Sequence, residues 1–479
     1  MMASFKGGAI MTEKTFVHPY MPNGVPAVRA AMLKELGISS VEEIYRSIIP
    51  DRLLFKGRLG LPEAIGSEAE LADHVLGLLS QNVSCADAVS FLGAGCYRHH
   101  VPALCDEIAN RAEFLTAYCG DTYSDHGKMQ AIFEYASMMG ELLDADVVSY
   151  TTYDGGQAVC SSLRMAMRMT GRTEALVPET MNPEILSQAR TYCRSAGSVT
   201  PVKADRETGR MDLSDLKAKL SSRTAVVFFE NPSYLGFLEE EPRRIAALAH
   251  EAGALCVVMP EVASLGALES PMNYGADFVC GEIQPLGMHL QLGGGCGGFI
   301  AGPQDSRFVE ELPTYLYGLA PTADPNAFGW RRALLSRCSH GSREKAREYF
   351  GTESGLWAIV AGVYLASMGP LGMKELGETI MQRAAYAIKT LSPLPGLRVH
   401  IFGGAVFQEF AVNFDAAGKT AAQVNKELLA RGIFGGKDLS RNFPQYGQSA
   451  LYAVTETVTA AQIDRLAAAL AEIAGGERS

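Results

Sequence analysis

From Gly171 onward the chain alternates short apolar runs with amphipathic ones. Runs at 175–178, 199–202, 225–230, 254–259 and 277–280 are apolar nearly throughout, and a short one at 299–301 follows them. Strands apolar on both faces need both faces covered, which is the condition of a parallel sheet between two layers of helix. The intervening segments 183–195, 213–220 and 242–252 carry apolar residues at helical spacing. The expectation is an α/β fold with a mostly parallel sheet. Ligands of such sheets gather beyond the carboxyl ends of the strands. Asn231-Pro232 and Glu261 stand at two such ends.

The stretch 254–302 is distinctive for what it lacks. Its first run leads to an acid, Glu261; the second leads into Gly281-Glu282-Ile283-Gln284-Pro285; a glycine run, 293–298, closes it. In pyridoxal-phosphate (PLP) enzymes of the aspartate aminotransferase type, such an acid pairs with the pyridine nitrogen. A lysine near the next strand end holds the cofactor covalently. No lysine lies between Lys219 and Lys345. This stretch resembles a PLP scaffold without its anchor. Lys128 and Lys203 precede the acid-bearing strand, so neither replaces it.

A chain of 479 residues, 47% hydrophobic and 20% charged, has enough apolar material for two or three globular domains. A net charge of −11 without a basic stripe argues against nucleic-acid binding. Ten cysteines are scattered with no C-x-x-C pair, and Cys160, Cys256 and Cys280 lie within apolar runs. They read as buried thiols in a reducing compartment, hence a cytoplasmic address. The apolar runs are too short to span a bilayer, and the first residues lack the core of a signal peptide. Met11 is an alternative start to Met1.

Residues 1–84 read as a helical arm, with helices at 27–36, 41–47 and 68–80 and Ser40 as a cap, suited to packing on another subunit. Residues 85–310 read as the large domain. Residues 311–350 read as a connection with few elements, flexible at 318–324, and 351–479 as a smaller α+β domain. In the latter a helix at 352–368 is interrupted at 369–372 and followed by another at 374–390.

Gly93 and Gly95 begin like a dinucleotide fingerprint, but Arg98 replaces the third glycine and no long strand precedes them. His99-His100 has no partner set at ligand spacing, so no metal site is expected. Thr152-Tyr153-Asp154-Gly155-Gly156 opens a helix at 157–169. It reads either as an anion site of free N–H groups or as a capped helix start.

Several stretches together resemble one family over nearly the whole chain, the first (alpha) subunit of the split P-protein of the glycine cleavage system. They are Ser90-Phe91-Leu92-Gly93-Ala94-Gly95 with Tyr97, His99 and Pro102; Ala131-Ile132-Phe133-Glu134-Tyr135; Tyr153-Asp154-Gly155; Asn231-Pro232 with Gly236; Ala249-His250-Glu251-Ala252-Gly253-Ala254; Tyr274-Gly275-Ala276-Asp277; Arg343-Glu344-Lys345-Ala346; and Gly432-Ile433-Phe434-Gly435-Gly436 with Asp438-Leu439. The resemblance implies a PLP-dependent transferase-like fold (type I) in a subunit without the Schiff-base lysine. PLP is then expected on a beta subunit, in an assembly of two αβ units. It further implies decarboxylation of glycine and transfer of its aminomethyl group to a lipoyl H-protein, with this chain inactive alone. Candidate shared-site residues are Tyr97, Tyr118 and Tyr153. Gly93 and Gly95 allow close backbone approach, and Glu261 and Gln284 mark a vestigial cofactor site. Each tyrosine also reads as an ordinary core or interface aromatic. The chain departs from the family at the loop 117–127, at 343–352, and in having Glu261 where Asp is usual. These departures leave open another small amino acid as substrate, or a purely structural or regulatory partner.

Overall fold

The computed structural model describes residues 17, 18, 20–57, 59–63, 65–95, 97–115, 126–290, 297–333, 339–348 and 354–475. The chain divides into two units, Met1–Asn82 and Val83–Ser479. In the first, helices run Pro26–Glu35, Val41–Ile48 and Glu68–Leu79, and none contains a buried residue. Ser67 caps the third by accepting from Glu70 N at 3.2 Å. Ser40 occupies the N-cap position of the second, but its side chain makes no cap bond, contrary to the sequence expectation.

The second unit is built on a seven-stranded sheet. Its strands are β1 Val147–Val148, β2 Glu174–Pro178, β3 Ser198–Val202, β4 Thr224–Glu230, β5 Leu255–Met259, β6 Phe278–Glu282 and β7 Gly298–Gly302. Their spatial order is β1-β7-β6-β5-β4-β2-β3; β7 runs antiparallel to both neighbours, and the other pairings are parallel. Helices α1 His126–Leu143, α2 Gly155–Thr170, α3 Pro183–Cys193, α4 Leu213–Lys219 and α5 Pro242–Glu251 accompany the strands. The two-residue period of a strand splits β4 between two cores. Val227 and Phe229 pack in one cluster with Ile132, Met139 and Leu248; Val226 and Phe228 pack in the other with Leu163, Ala189 and Ile185.

The connection after β7 is more ordered than its composition suggests. Leu316–Pro321 (β8) and Phe328–Ala333 (β9) form an antiparallel hairpin, so part of the segment read as flexible is strand. Cross-strand pairing here overrides the weak β propensity of Gly and Pro. The following helix, α6 Gly355–Leu391, carries a non-helical residue, Gly369, at φ 58° and ψ −177°. The helix resumes at Pro370 rather than at 374, because proline fits a first helical turn. It is the helix among the described residues long and apolar enough to cross a membrane. Here its apolar residues instead enter the core beside α1, through Ala358, Ile359 and Tyr364.

A four-stranded antiparallel sheet forms the C-terminal part, from β10 Arg398–Val399, β11 Glu409–Asn413, β12 Lys437–Asp438 and β13 Ser449–Ala453, in the order β10-β11-β13-β12. Helices α7 Ala421–Leu429 and α8 Ala460–Gly475 cover it through Val424, Leu428, Ile463 and Leu470. Thr420 and Gln423 close a reciprocal capping box at the start of α7. The described cysteines, including Cys160, Cys256 and Cys280, are free and, apart from half-buried Cys85, buried.

Candidate functional site

A cavity of about 320 Å³ lies beyond the carboxyl ends of β4, β5 and β6. Three local features place its walls. The first is the end of β4, where Glu230 is followed by a cis Asn231-Pro232 bond and Ser233. The second is the end of β5, where Pro260 and Glu261 turn the chain into a short 3-10 helix. Glu261 caps that helix, accepting from Ser264 N at 3.1 Å. The third is the start of α2, where Gly155 and Gly156 approach Glu282 of β6 and Gln188 of α3.

The loop containing Gly93 and Gly95 wraps a carboxylate from the small sheet. Ala94 N donates to Glu409 Oε1 at 2.6 Å, Tyr97 OH donates to Glu409 Oε2 at 2.7 Å, and Gly95 N donates to the Tyr97 hydroxyl at 3.1 Å. A Cβ on Gly93 would collide with the Glu409 carboxylate, and Gly95 holds φ +100°. Gly93 therefore serves an approach to a side chain of this same chain, while Gly95 lies on the cavity wall. Behind them His99 Nδ1 meets Glu456 Oε2 at 2.9 Å, and His100 N donates to Glu456 Oε1 at 2.6 Å.

The walls are acidic. Asp154, Glu184, Glu230, Glu261, Glu282 and Glu409 line the cavity, and among the described residues no Lys, Arg or His does. Burial pushes the Glu230 carboxyl up to about 8, opposed by backbone donors at Asn182 and Tyr234 and reinforced by Glu409. Burial pushes Glu409 up to about 7, against the donors Ala94 and Tyr97, and Glu261 adds to the rise. Glu261 is raised by burial as well, with His99 opposing. Tyr97 is driven well above its ordinary value by burial and then by Glu409, so it is held as a neutral donor. For His99, burial works against the charged ring, but the bond to Glu456 and the charges of Glu456 and Glu261 outweigh it and the pKa rises.

The resemblance to PLP scaffolds makes a direct test possible. A cofactor phosphate would need free N–H groups at the start of α2. Two of those donors are already occupied: Glu282 Oε2 accepts from Gly155 N at 2.8 Å, and Asp154 Oδ1 accepts from Gln157 N at 2.7 Å. Of the two readings of this turn, the capped helix start is the one that forms. Of Gln284-Pro285, the pair the resemblance expects at the lysine position, Gln284 is buried, donates its amide to Met288 O at 2.9 Å and does not line the cavity, whereas Pro285 does. An anion among six acids, with no cation and no covalent anchor lining the cavity among the described residues, does not fit here.

Of the candidate tyrosines, Tyr97 alone lines this cavity. Tyr153 is half exposed and lines a shallow neighbouring depression with Gln157 and Tyr192. Tyr118 and the altered loop around it lie outside the described residues, apart from its last two positions. No cluster of three or more His, Cys, Asp or Glu suited to a metal occurs among the described residues. The reading of the sequence missed Glu230 and Glu409. Each had a signal, an acid ending or interrupting an apolar strand run, the same signal that singled out Glu261.

The family model for the glycine cleavage system P-protein matches residues 20–470. The chain belongs to that family. It is 36% identical over 457 residues to a Pyrococcus abyssi protein named "Probable glycine dehydrogenase (decarboxylating) subunit 1", covering 95% of this chain and 99% of that one. An Aeropyrum pernix protein of the same name is 36% identical, covering 96% and 100%. One from Desulfitobacterium hafniense is 33% identical, covering 95% and 99%. A crystal structure of glycine decarboxylase (P-protein) in inhibitor-bound form superposes with a TM-score of 0.82 at 30% identity, covering 94% of this chain and 98% of that one. A sphingosine-1-phosphate lyase from Burkholderia pseudomallei shares the fold at a TM-score of 0.65 and 16% identity, covering 90% and 96%. The P-protein chain described here therefore has the type I fold of PLP-dependent enzymes. It stands among first subunits of glycine dehydrogenase (decarboxylating), as one part of an enzyme complex in which PLP takes part and which has a second subunit. Neither a different amino acid substrate nor a non-enzymatic role is favoured by these relatives.

Proposed function

We propose that this chain is the non-lysine-bearing subunit of a two-subunit glycine dehydrogenase (decarboxylating), completing a site whose PLP lysine resides on the partner subunit. The observation that carries the assignment to the partner is the acidic plug at the start of α2. Glu282 and Asp154 take two of the donors that a phosphate would use, and Gln284-Pro285 stands where the resemblance expects the lysine. PLP on the partner supplies the electron sink for decarboxylation of glycine. The aminomethyl group then passes to the lipoyl arm of an H-protein.

This chain's share is positioning and the exclusion of water. Tyr97, kept protonated by its buried setting, donates its one O–H to Glu409 and so fixes that carboxylate at the cavity wall. The Gly93–Tyr97 loop is stiffened by two bonds to that carboxylate. The first unit exposes apolar side chains on successive helices, among them Met32, Ile48, Leu71, Leu76 and Leu79. Such a surface suits burial against another subunit. Two αβ pairs in a reducing cytoplasm complete the proposal.

The test is reconstitution with a second subunit, followed by exchange of the glycine carboxyl with labelled CO2 in the presence of lipoyl H-protein. Exchange by the pair, none by this chain alone, and borohydride fixing PLP to a lysine of the partner are the expected results. A fixed lysine in this chain would overturn the assignment.

A further inference from the structure

Met1–Asn82 carries the apolar pattern of a folded segment without the core that such a pattern forms. Its three helices are 10, 8 and 12 residues long. Isolated helices shorter than about 12–15 residues are marginal in water, and burial of an apolar face is what holds them. Among the described residues of this unit none is buried. The apolar stripes are nevertheless in place. Val25, Val28, Met32 and Leu36 follow one side of the first helix and its two ends. Tyr45 and Ile48 share a side of the second, and Leu71, Val75 and Leu78 a side of the third. All are exposed, at the three- and four-residue spacing of a helix face that packs on something.

The density of these side chains sets the unit apart. Among the described residues, 19 exposed large apolar side chains fall at positions 20–82 and 11 at positions 83–479. Exposed apolar residues occurring singly are ordinary, whereas a dense set marks a face that is covered in use. Their number approaches the roughly 20–30 residues a side of a stable protein interface.

We propose that Met1–Asn82 takes this helical form on the second subunit, so that folding of the arm and pairing of the subunits are one step. The proposal rests on the two-subunit reading above and adds to it that the arm has no stable fold before the partner arrives. The arm lies almost wholly inside the region matched by the P-protein family model, which begins at residue 20, and the first-subunit relatives align with 95% of this chain. It is thus part of the body that works with a second subunit. A second copy of this chain is the poorer cover, since positions 83–479 expose few large apolar side chains to meet the arm. Coupled folding makes pairing selective, because the cost of ordering the arm is recovered only on a surface that matches all three stripes.

The experiment is hydrogen–deuterium exchange on the full-length chain, alone at two concentrations and mixed with the second subunit of a glycine dehydrogenase, with light scattering to establish pairing. In the chain alone, amides at 26–35, 41–48 and 68–79 are expected to exchange near the unprotected rate while those of β4 and β5 stay protected. In the complex, protection of the arm should rise by about 100-fold or more. Leu71→Asp with Val75→Asp, at exposed positions, spares the core of the second unit and should weaken pairing by about 10-fold or more. Asp73→Asn, on the other side of the same helix, should leave pairing unchanged. Arm amides protected in the chain alone at both concentrations would show that the arm needs no partner. Protection that grows with concentration in the chain alone would assign the cover to a second copy, and either result overturns the proposal. So does a complex in which the arm stays unprotected, or whose affinity Leu71→Asp with Val75→Asp does not change. Exchange of the glycine carboxyl by that complex would then leave the two-subunit reading standing, whereas no complex at all defeats both.

Discussion

The buried acids make the stability of this chain depend on pH in a direction opposite to ordinary acid denaturation. Glu230, Glu239 and Glu409 have ordinary values of 4.5 and are raised in the folded chain to about 8, 7 and 7, each chiefly by burial. Between pH 4.5 and those values the folded chain holds protons that the unfolded chain has lost. Stability then falls as pH rises. From pH 5.5 to 6.5 each group loses ~1.4 kcal/mol, and the three together on the order of 4 kcal/mol. His99 works in the same sense: its raised pKa means that its stabilising contribution disappears as pH climbs through the folded value. Carboxylates with lowered values, such as Glu456, Asp205 and Asp415, act near or below their ordinary range and leave this window alone. Urea unfolding at half-unit steps from pH 5.5 to 7.0 measures the slope. Glu230→Gln keeps the shape but cannot ionise, so it should remove about a third of the slope between pH 5.5 and 6.5. A stability that is flat or rising over this range, or a slope unchanged in Glu230→Gln, would refute the reasoning.

Gly93→Ala drives a methyl group toward the Glu409 carboxylate and Ala453. It should cost about 1–3 kcal/mol, read as a lower melting temperature, and an unchanged melting temperature would mean that the loop is not clamped there. Tyr97→Phe removes one of the two donors to Glu409 and should cost about 1–3 kcal/mol. Because that donor lowers the Glu409 pKa, its loss should also move the pH slope to higher pH. Gln284→Lys should not make this chain a PLP enzyme, since the side chain at 284 turns toward Met288 O and Glu282 still occupies Gly155 N. A peptide of that variant carrying borohydride-fixed PLP at 284 would contradict this geometry.

Much of the fold was legible because its signals are local. The apolar runs at 225–230 and 254–259 could satisfy both faces only inside a sheet, and they form β4 and β5 between two cores. The kink at Gly369-Pro370 was legible for the same reason, since one glycine and one proline fix it. The hairpin Leu316–Pro321 with Phe328–Ala333 was not, because its pairing depends on cross-strand contacts that propensity does not carry. The site was legible in part. Glu261 was found by its place at a strand end, but Glu409 reaches the cavity from a strand about 150 positions further on. Only tertiary structure brings the two together. The role of Gly93 was similarly half visible: close approach was expected, and the group that comes close in the fold is Glu409.

These observations connect the missing lysine to the acids. A PLP site needs cationic character at two places, a helix start free to hold phosphate and a lysine to hold the aldehyde. Here Glu282 and Asp154 take two of the helix-start donors, and Gln284-Pro285 stands where the resemblance expects the lysine. Once no anion must be held, nothing opposes carboxylates in the cavity except their own desolvation and mutual repulsion. Those costs are met here partly by backbone donors at Ala94, Asn182 and Ser264 and partly by protonation. A pocket that had merely lost its function would be expected to fill with apolar side chains, the cheaper solution for a buried space. This one stays open at about 320 Å³ and keeps its carboxylates on the wall.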